Sequence, residues 1–133
     1  PFVHTIHAVD RIKLLKEIQK QAEKNKRIIN CLIQIRIAEE DTKFGLAASE
    51  LDAMLEAAAS CSHVKIKGLM GMATFTSDTD QIQIEFQKLA HLYQKNSEFE
   101  VLSMGMSGDY PIAIEAGSNM IRVGSKLFGE RNY

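Results

Sequence analysis

A chain of 133 residues with 45% hydrophobic and 25% charged side chains is expected to bury a single core and form one domain. Its formal net charge of −1 supplies no electrostatic attraction to nucleic acid or to a membrane surface, so neither partner is expected. No apolar run nears the roughly 20 residues a membrane span needs, and no signal peptide is expected. Cys31 and Cys61 lie far apart in apolar surroundings. That suits structural thiols in a reducing compartment better than a disulfide, so a cytoplasmic location is expected. The chain enters at Pro1 directly on an apolar run, which suggests a fragment or a trimmed product.

Residues 2–8 alternate around Val3, Thr5 and His7 and read as a strand. His4 and His7, three apart on a strand, point to opposite faces and make a poor metal pair. Asp10 is the expected N-cap of a helix whose apolar positions Leu14, Leu15, Ile18 and Ala22 recur at helical spacing to about Asn25. Residues 28–37 read as a strand, with Cys31, Ile33 and Ile35 on an apolar face and Leu32, Gln34 and Arg36 on the other. The polar pair suits the inside of a barrel with a polar ligand at its mouth, or simply hydrogen bonding to neighbouring side chains. The charged loop 38–45 holds Lys43, a solvated lysine or one that reaches an anion. Ser49 and Asp52 resemble a capping box before the stripe Leu51, Met54, Leu55 and Ala58.

Residues 64–73 form the next predicted strand, where Gly68 and Gly71 mark a bend or a close backbone approach. Met70, Met72 and Met104 read first as core filler. Asp78 or Thr79 should cap a helix over 80–94 with an inner face of Ile84, Phe86, Leu89 and Leu92, and Ile82 nearby. Two apolar runs follow. Residues 101–106 lead into Ser107-Gly108-Asp109 and residues 120–123 into Gly124-Ser125, with about one or two helical turns between. Five strands (about 2–8, 28–37, 64–73, 100–104 and 120–123) with four intervening helices define an α/β chain with parallel strands.

The last two strand ends hold the chemistry. In α/β barrels the final loops commonly form a phosphate cup from backbone N–H groups, and small residues let the anion approach the backbone. Alternation puts Met120, Arg122 and Gly124 on one face and Ile121 and Val123 on the other. Ile121 and Val123 suit a face covered by helices, which turns Arg122 inward. A guanidinium there needs either an internal carboxylate or a ligand.

The run LSMGMSGDYPIAIEAGSNMIRVGSKLFGER at residues 102–131 resembles the C-terminal signature of the YggS/PROSC-type pyridoxal phosphate homeostasis proteins, LSMGMSxDxxxAIxxGxxxxRxGxxxFGxR. IHAVDRIKLLKEI at 6–18, INCLIQIRIAEEDTKFGL at 29–46 and IKGLMGMATF at 66–75 extend the likeness over the whole chain. The resemblance implies an alanine racemase-like (β/α)8 barrel, of the TIM-barrel type, of which this chain would supply the last five β/α units. The site residues it implies are Ser107, Gly124 and Ser125 at the cofactor phosphate and Arg122 at the pyridine nitrogen, with Met104 beside the cofactor. The lysine to which the family's cofactor is covalently attached follows the first strand, ahead of anything resembling Ile6, so that segment is absent from this chain.

The function so implied is pyridoxal 5′-phosphate binding in intracellular homeostasis of the cofactor, without catalysis. A pyridoxal phosphate-dependent racemase-type enzyme is the alternative. It would need a second, β-rich domain, for which a chain ending at Tyr133 leaves no room. Another barrel binding a phosphate ester is the third reading. The expected partners are pyridoxal phosphate, phosphate or sulfate in the cup. The N-terminal segment of the same protein, or a second copy, would cover the open strand edges.

Overall fold

The computed structural model of the protein describes residues 5–38, 45–74, 76–106 and 108–122. Strand β1 (Thr5–Val9) is followed by helix α1 (Ile12–Lys24), strand β2 (Ile29–Gln34), a 3-10 turn (Ala48–Glu50) and helix α2 (Leu51–Ala59). Strand β3 (Val64–Gly71), helix α3 (Thr79–Gln94), strand β4 (Val101–Met104) and the short helix α4 (Tyr110–Glu115) complete it. The strands form one sheet in the order β1-β2-β3-β4, and every pairing is parallel. That is the arrangement expected when each strand is followed by a helix that returns the chain across one face. The start of the fifth predicted strand joins β4 by a parallel bridge between Ser103 and Met120. Its residue 123, like residues 2–4 of the first, lies outside the described residues.

The helices pack on the face bearing Cys31, Ile33, Ile35, Leu69, Leu102 and Met104, which share a core with Leu15, Ile18, Met54, Phe86 and Leu89. Leu32 and Met70 are just as buried but stand outside this cluster, as alternation requires for the opposite face. Cys31 is fully buried on the helix side, and burial, aided by Cys61, pushes its thiol up to about 11.

Several local expectations give way to packing. Asp10 does not cap α1; the N-cap is Arg11, without a side-chain cap bond, and Asp10 instead pairs with Arg11 at 3.6 Å. Ser49 falls inside the 3-10 turn, and α2 starts from Glu50 with no capping box. Asp78 does cap α3, accepting from the Gln81 N–H at 3.2 Å. The inner face of α3 holds Ile82, Phe86, Leu89 and, in place of Ile84, the carboxylate of Glu85; Ile84 is 54% exposed. Past Gln34, Leu46 pairs alongside the end of β2: its N–H donates to the Gln34 carbonyl at 2.8 Å and its carbonyl accepts from the Arg36 N–H at 2.9 Å, while the Ile35 N–H still donates to the Met70 carbonyl at 2.9 Å. Gln34 is buried, but Arg36 is exposed and does not share a closed interior with it.

The β2–β3 register slips by one residue at Lys67, between the pairs Cys31–Ile66 and Leu32–Gly68. Beyond the slip, Gly68 lies against Val101 so closely that a Cβ would sit 1.7 Å from the Val101 carbonyl oxygen. Backbone on both sides cannot move aside without parting the strands. Gly68→Ala is therefore expected to destabilise the protein by more than about 2 kcal/mol in urea unfolding. Gly108→Ala, where a Cβ meets nothing within 4 Å, should stay within about 0.5 kcal/mol.

The raised Cys31 value generates a second expectation. The unfolded thiol ionises near its ordinary value, about 8.5, while the folded thiol holds its proton to about 11. Stability from this group is complete below the lower value and is lost as pH rises toward the higher one. Cys31→Ala should flatten the fall in melting temperature across that interval, which thermal scans at successive pH values would show.

Candidate functional site

Register defines the face of the sheet away from the helices. Gln34 pairs with Met70, Met70 with Ser103, and Ser103 with Met120, so these four make one row across the strands. Gln34, Met70 and Ser103 are 4%, 2% and 1% exposed. Arg122 lies two residues past Met120, on the same face and one row nearer the C-terminal ends of the strands. Its N–H donates to the Gly105 carbonyl at 2.9 Å, one residue beyond the Met104 carbonyl that an unshifted ladder from the Ser103–Met120 bridge would supply, so the segment stays beside β4 with a slip of register at Gly105. Ile121 takes the other face. A Cβ on Gly105 would meet the Ala113 Cβ at 2.7 Å and the Ile121 Cγ2 at 3.2 Å, so Ile121 and α4 crowd the same side. Gly105 adopts φ 106°, a conformation that favours glycine, and the chain turns there from β4 toward α4.

The segment from Ser118 to Arg122 is anchored by side chains more than by a ladder. The Ser118 Oγ sits among three carbonyl oxygens, 3.1 Å from Leu102, 2.7 Å from Met104 and 2.8 Å from Met120, and donates its one proton to them in turn. The Asn119 side chain lies along β4 as a strand would: its Oδ1 accepts from the Leu102 N–H at 2.8 Å, and its Nδ2 donates to the Glu100 carbonyl at 2.8 Å. On the other side of β4, the Asp109 Oδ1 accepts the Met106 N–H at 2.7 Å and fixes the turn into α4. Of these three, Asp109 is legible in the sequence as part of a turn, and Ser118 and Asn119 are not singled out there, although a Gly-Ser-Asn run before a short apolar run is a turn signal.

Arg122 is half-buried, and desolvation by burial lowers its pKa from the ordinary arginine value. Among the described residues the ion pairs are Arg11 with Asp10 and Lys67 with Glu100, and neither involves Arg122. Of the two readings open at the sequence level, an internal carboxylate partner therefore finds no support within the described residues. The guanidinium offers five N–H donors and no acceptor, a set that suits a phosphate oxygen or the lone pair of a heteroaromatic nitrogen.

Met104 is placed differently from the expectation. It is 2% exposed and packs in the helix-side core with Leu102, while Ser103 between them faces inward. Alternation along β4 thus takes the Met104 side chain away from the face that bears Arg122. Ser107, Gly124 and Ser125 lie outside the described residues, as do His4 and Lys43. No cluster of three metal-ligating side chains occurs among the described residues.

A parallel sheet with helices on one face leaves a half-buried arginine beside the C-terminal end of β4. The profile of the alanine racemase N-terminal domain matches residues 3–132, and the chain belongs to that family. The pyridoxal phosphate homeostasis protein of Aquifex aeolicus is 38% identical over 133 residues, covering 96% of this chain and 58% of the relative. PipY of Synechococcus elongatus, solved without pyridoxal phosphate, superposes with a TM-score of 0.84 at 31% identity, over 94% of this chain and 61% of PipY. The PipY structure with pyridoxal phosphate bound gives 0.79 at 30% identity, over 94% and 60%. Alanine racemase of Corynebacterium glutamicum, at 17% identity and a TM-score of 0.66 over 97% of this chain and 36% of the racemase, shares the fold alone. The resemblance of residues 102–131 to YggS/PROSC-type proteins is thus the right one. The chain spans somewhat more than half the length of the curated relatives it matches. No described helix is long and apolar enough to cross a membrane.

The anchoring of the 118–122 segment has a measurable consequence. Asn119→Ala leaves a Leu102 N–H and a Glu100 carbonyl without their partner, so a loss of about 2 kcal/mol is expected in chemical denaturation. Asn119→Asp keeps an acceptor for Leu102 but sets a carboxylate against the Glu100 carbonyl, and should cost at least as much.

Proposed function

We propose that this chain is the last five β/α units of a pyridoxal phosphate-binding barrel that serves cofactor homeostasis in the cytoplasm without turning over a substrate. The observation that carries the reading is Arg122, a half-buried guanidinium without a carboxylate partner among the described residues, set by strand pairing at the C-terminal rim of the sheet. The names of the relatives and the bound ligand of PipY point the same way. Ser107, Gly124 and Ser125 are assigned to the phosphate, where small residues allow backbone N–H groups to reach the oxygens. Arg122 is assigned to the ring nitrogen.

Pyridoxal phosphate, when bound, supplies an electrophilic aldehyde on an electron-withdrawing ring. Arg122 would moderate that ring. A donor that cannot accept a proton keeps the ring nitrogen unprotonated and weakens its pull on electrons. Such tuning disfavours transaminase-type chemistry and suits carriage of the cofactor or, as the second reading, racemase-type chemistry.

The outer edge of β1 has no strand partner among the described residues. A groove of about 250 Å³ between β1, α1 and β2 is lined by Ile6, Ile18, Ala22 and Ile29 together with Gln21 and Arg27. We assign this edge to the part of the barrel that the longer relatives carry before the matched region, with self-association through the edge as the alternative.

The test is an absorbance titration with pyridoxal phosphate of the protein at its full natural length, followed by borohydride reduction and peptide mapping. A saturable band that reduction fixes to one lysine supports the reading; no saturable band rejects it. Arg122→Ala should shift the band while changing affinity less than about tenfold. A large loss of affinity with an unmoved band would reassign Arg122 to the phosphate.

A further inference from the structure

Among the described residues one side-chain polar atom is buried without a hydrogen-bond partner, the hydroxyl of Ser103. The residue is 1% exposed. Buried hydroxyls almost always find a partner, and an orphan at such a position calls for a reason.

Its surroundings narrow the choice. In its own row Ser103 is flanked by Met70 and Met120, whose thioethers are weak acceptors at best. Its strand neighbours Leu102 and Met104 belong to the helix-side core. One row toward the rim, β4 continues into Gly105, so no side chain of its own strand roofs the hydroxyl. One row up and one strand across stands Arg122, joined to Gly105 through its N–H. A strand spacing of about 4.8 Å and a rise of about 3.3 Å per residue separate the two Cα atoms by about 8 Å, within the reach of an extended arginine. An acceptor without a donor and a donor fork without an acceptor thus share one face, one row apart.

We propose that Ser103 is a positioning residue of the ligand site: with pyridoxal phosphate bound, its Oγ accepts one N–H of the Arg122 guanidinium and holds the fork against the ring nitrogen. This rests on the pyridoxal phosphate-binding reading above. The serine oxygen has two lone pairs, and the guanidinium has N–H groups left over once one is directed at the ring. A fixed acceptor below the fork selects one rotamer of a long, flexible side chain, which is how a donor gains direction as well as charge.

The experiment compares Ser103→Ala, Arg122→Ala and the double variant in the protein at its full natural length. Ser103→Ala removes an orphan hydroxyl and leaves packing nearly intact, so without ligand the melting temperature should hold or rise by about 2 °C. Affinity for pyridoxal phosphate should nevertheless fall about threefold, no more than in Arg122→Ala, and the absorbance band should move in the same direction as in Arg122→Ala. In the Arg122→Ala background the same substitution should change neither affinity nor band, because its effect passes through the arginine. A lowered melting temperature with unchanged affinity and band would make Ser103 structural and overturn the proposal. A loss of the same size that persists without Arg122 would overturn it too, in favour of direct contact with the ligand. A wild-type protein that binds no pyridoxal phosphate overturns this inference and the proposed function together. A wild-type protein that binds it while Ser103→Ala is silent overturns this inference alone.

Discussion

The geometry of the inner face depends on how residues 118–122 are held against β4. The segment has one bridge to the sheet and few backbone bonds, too little to define a strand direction without help. Ser118 and Asn119 supply that help from their side chains. The Asn119 amide offers an acceptor and a donor at the spacing a neighbouring strand would, so β4 meets a ladder-like edge before the true backbone pairing begins at Met120. The Ser118 hydroxyl sits where three carbonyls converge and ties both sides of the turn together. With those contacts the alternation of the next residues is fixed, and Arg122 falls on the inner face because Ile121 is taken by α4.

A comparable device operates at the end of β3. The Glu85 carboxylate is buried on α3 and accepts from the Thr74 N–H and hydroxyl, each at 2.7 Å, and from Gln81 Nε2 at 3.1 Å. A buried carboxylate is tolerated only with such a set of donors. The return is that Thr74, three residues past the last residue of β3, is pinned to the helix that follows. The rims of β3 and β4 are thus set by polar contacts, while the body of the sheet is set by apolar packing around Phe86, Leu69 and Leu102. A rim fixed by directional bonds is the better support for a ligand, since each bond prescribes an angle as well as a separation.

What was legible in the sequence follows the same division. The alternation of strand and helix could be read because apolar residues change period from 2 to 3.6 along the chain, and packing left that pattern undisturbed. Gly68 could be read as a close approach because glycine inside a strand has few other uses. Of the helix starts, Asp78 at α3 could be read and two others could not: Asp10 and Ser49 are good caps by residue type, yet the register of the following helices puts Arg11 and Glu50 at those positions. Hydrophobicity alone turns Ile84 inward, but the helical spacing of Ile82, Glu85, Phe86 and Leu89 puts Glu85 on the buried face, where three donors satisfy its carboxylate, and leaves Ile84 outside. Met104 was assigned to the ligand by likeness to the family signature, although counting alternate residues from Arg122 through the bridge would have turned it to the helices. Ser103 carries no signal in the sequence, because a single serine in an apolar run gains meaning only from the register that shows what surrounds it.

Residues that decide the fold can therefore be separated from those that decide the chemistry, strand by strand. The fold is shared with a racemase at 17% identity, so the packing layer alone does not select a reaction. On β4, Leu102 and Met104 serve that common layer, and Ser103 between them does not. On the segment after it, Ile121 serves the layer and Arg122 does not. Exchanging apolar residues on the helix side should leave the inner face in register, because backbone pairing sets that register. The desolvation that lowers the Arg122 pKa is itself produced by the sheet around it, since half-burial at the rim strips water from a guanidinium that has no carboxylate among the described residues to compensate. An unpaired, partly dehydrated donor is more strongly attracted to an incoming acceptor than a solvated one would be. Half-burial would thereby strengthen, through desolvation, the contact with an acceptor that is proposed for Arg122.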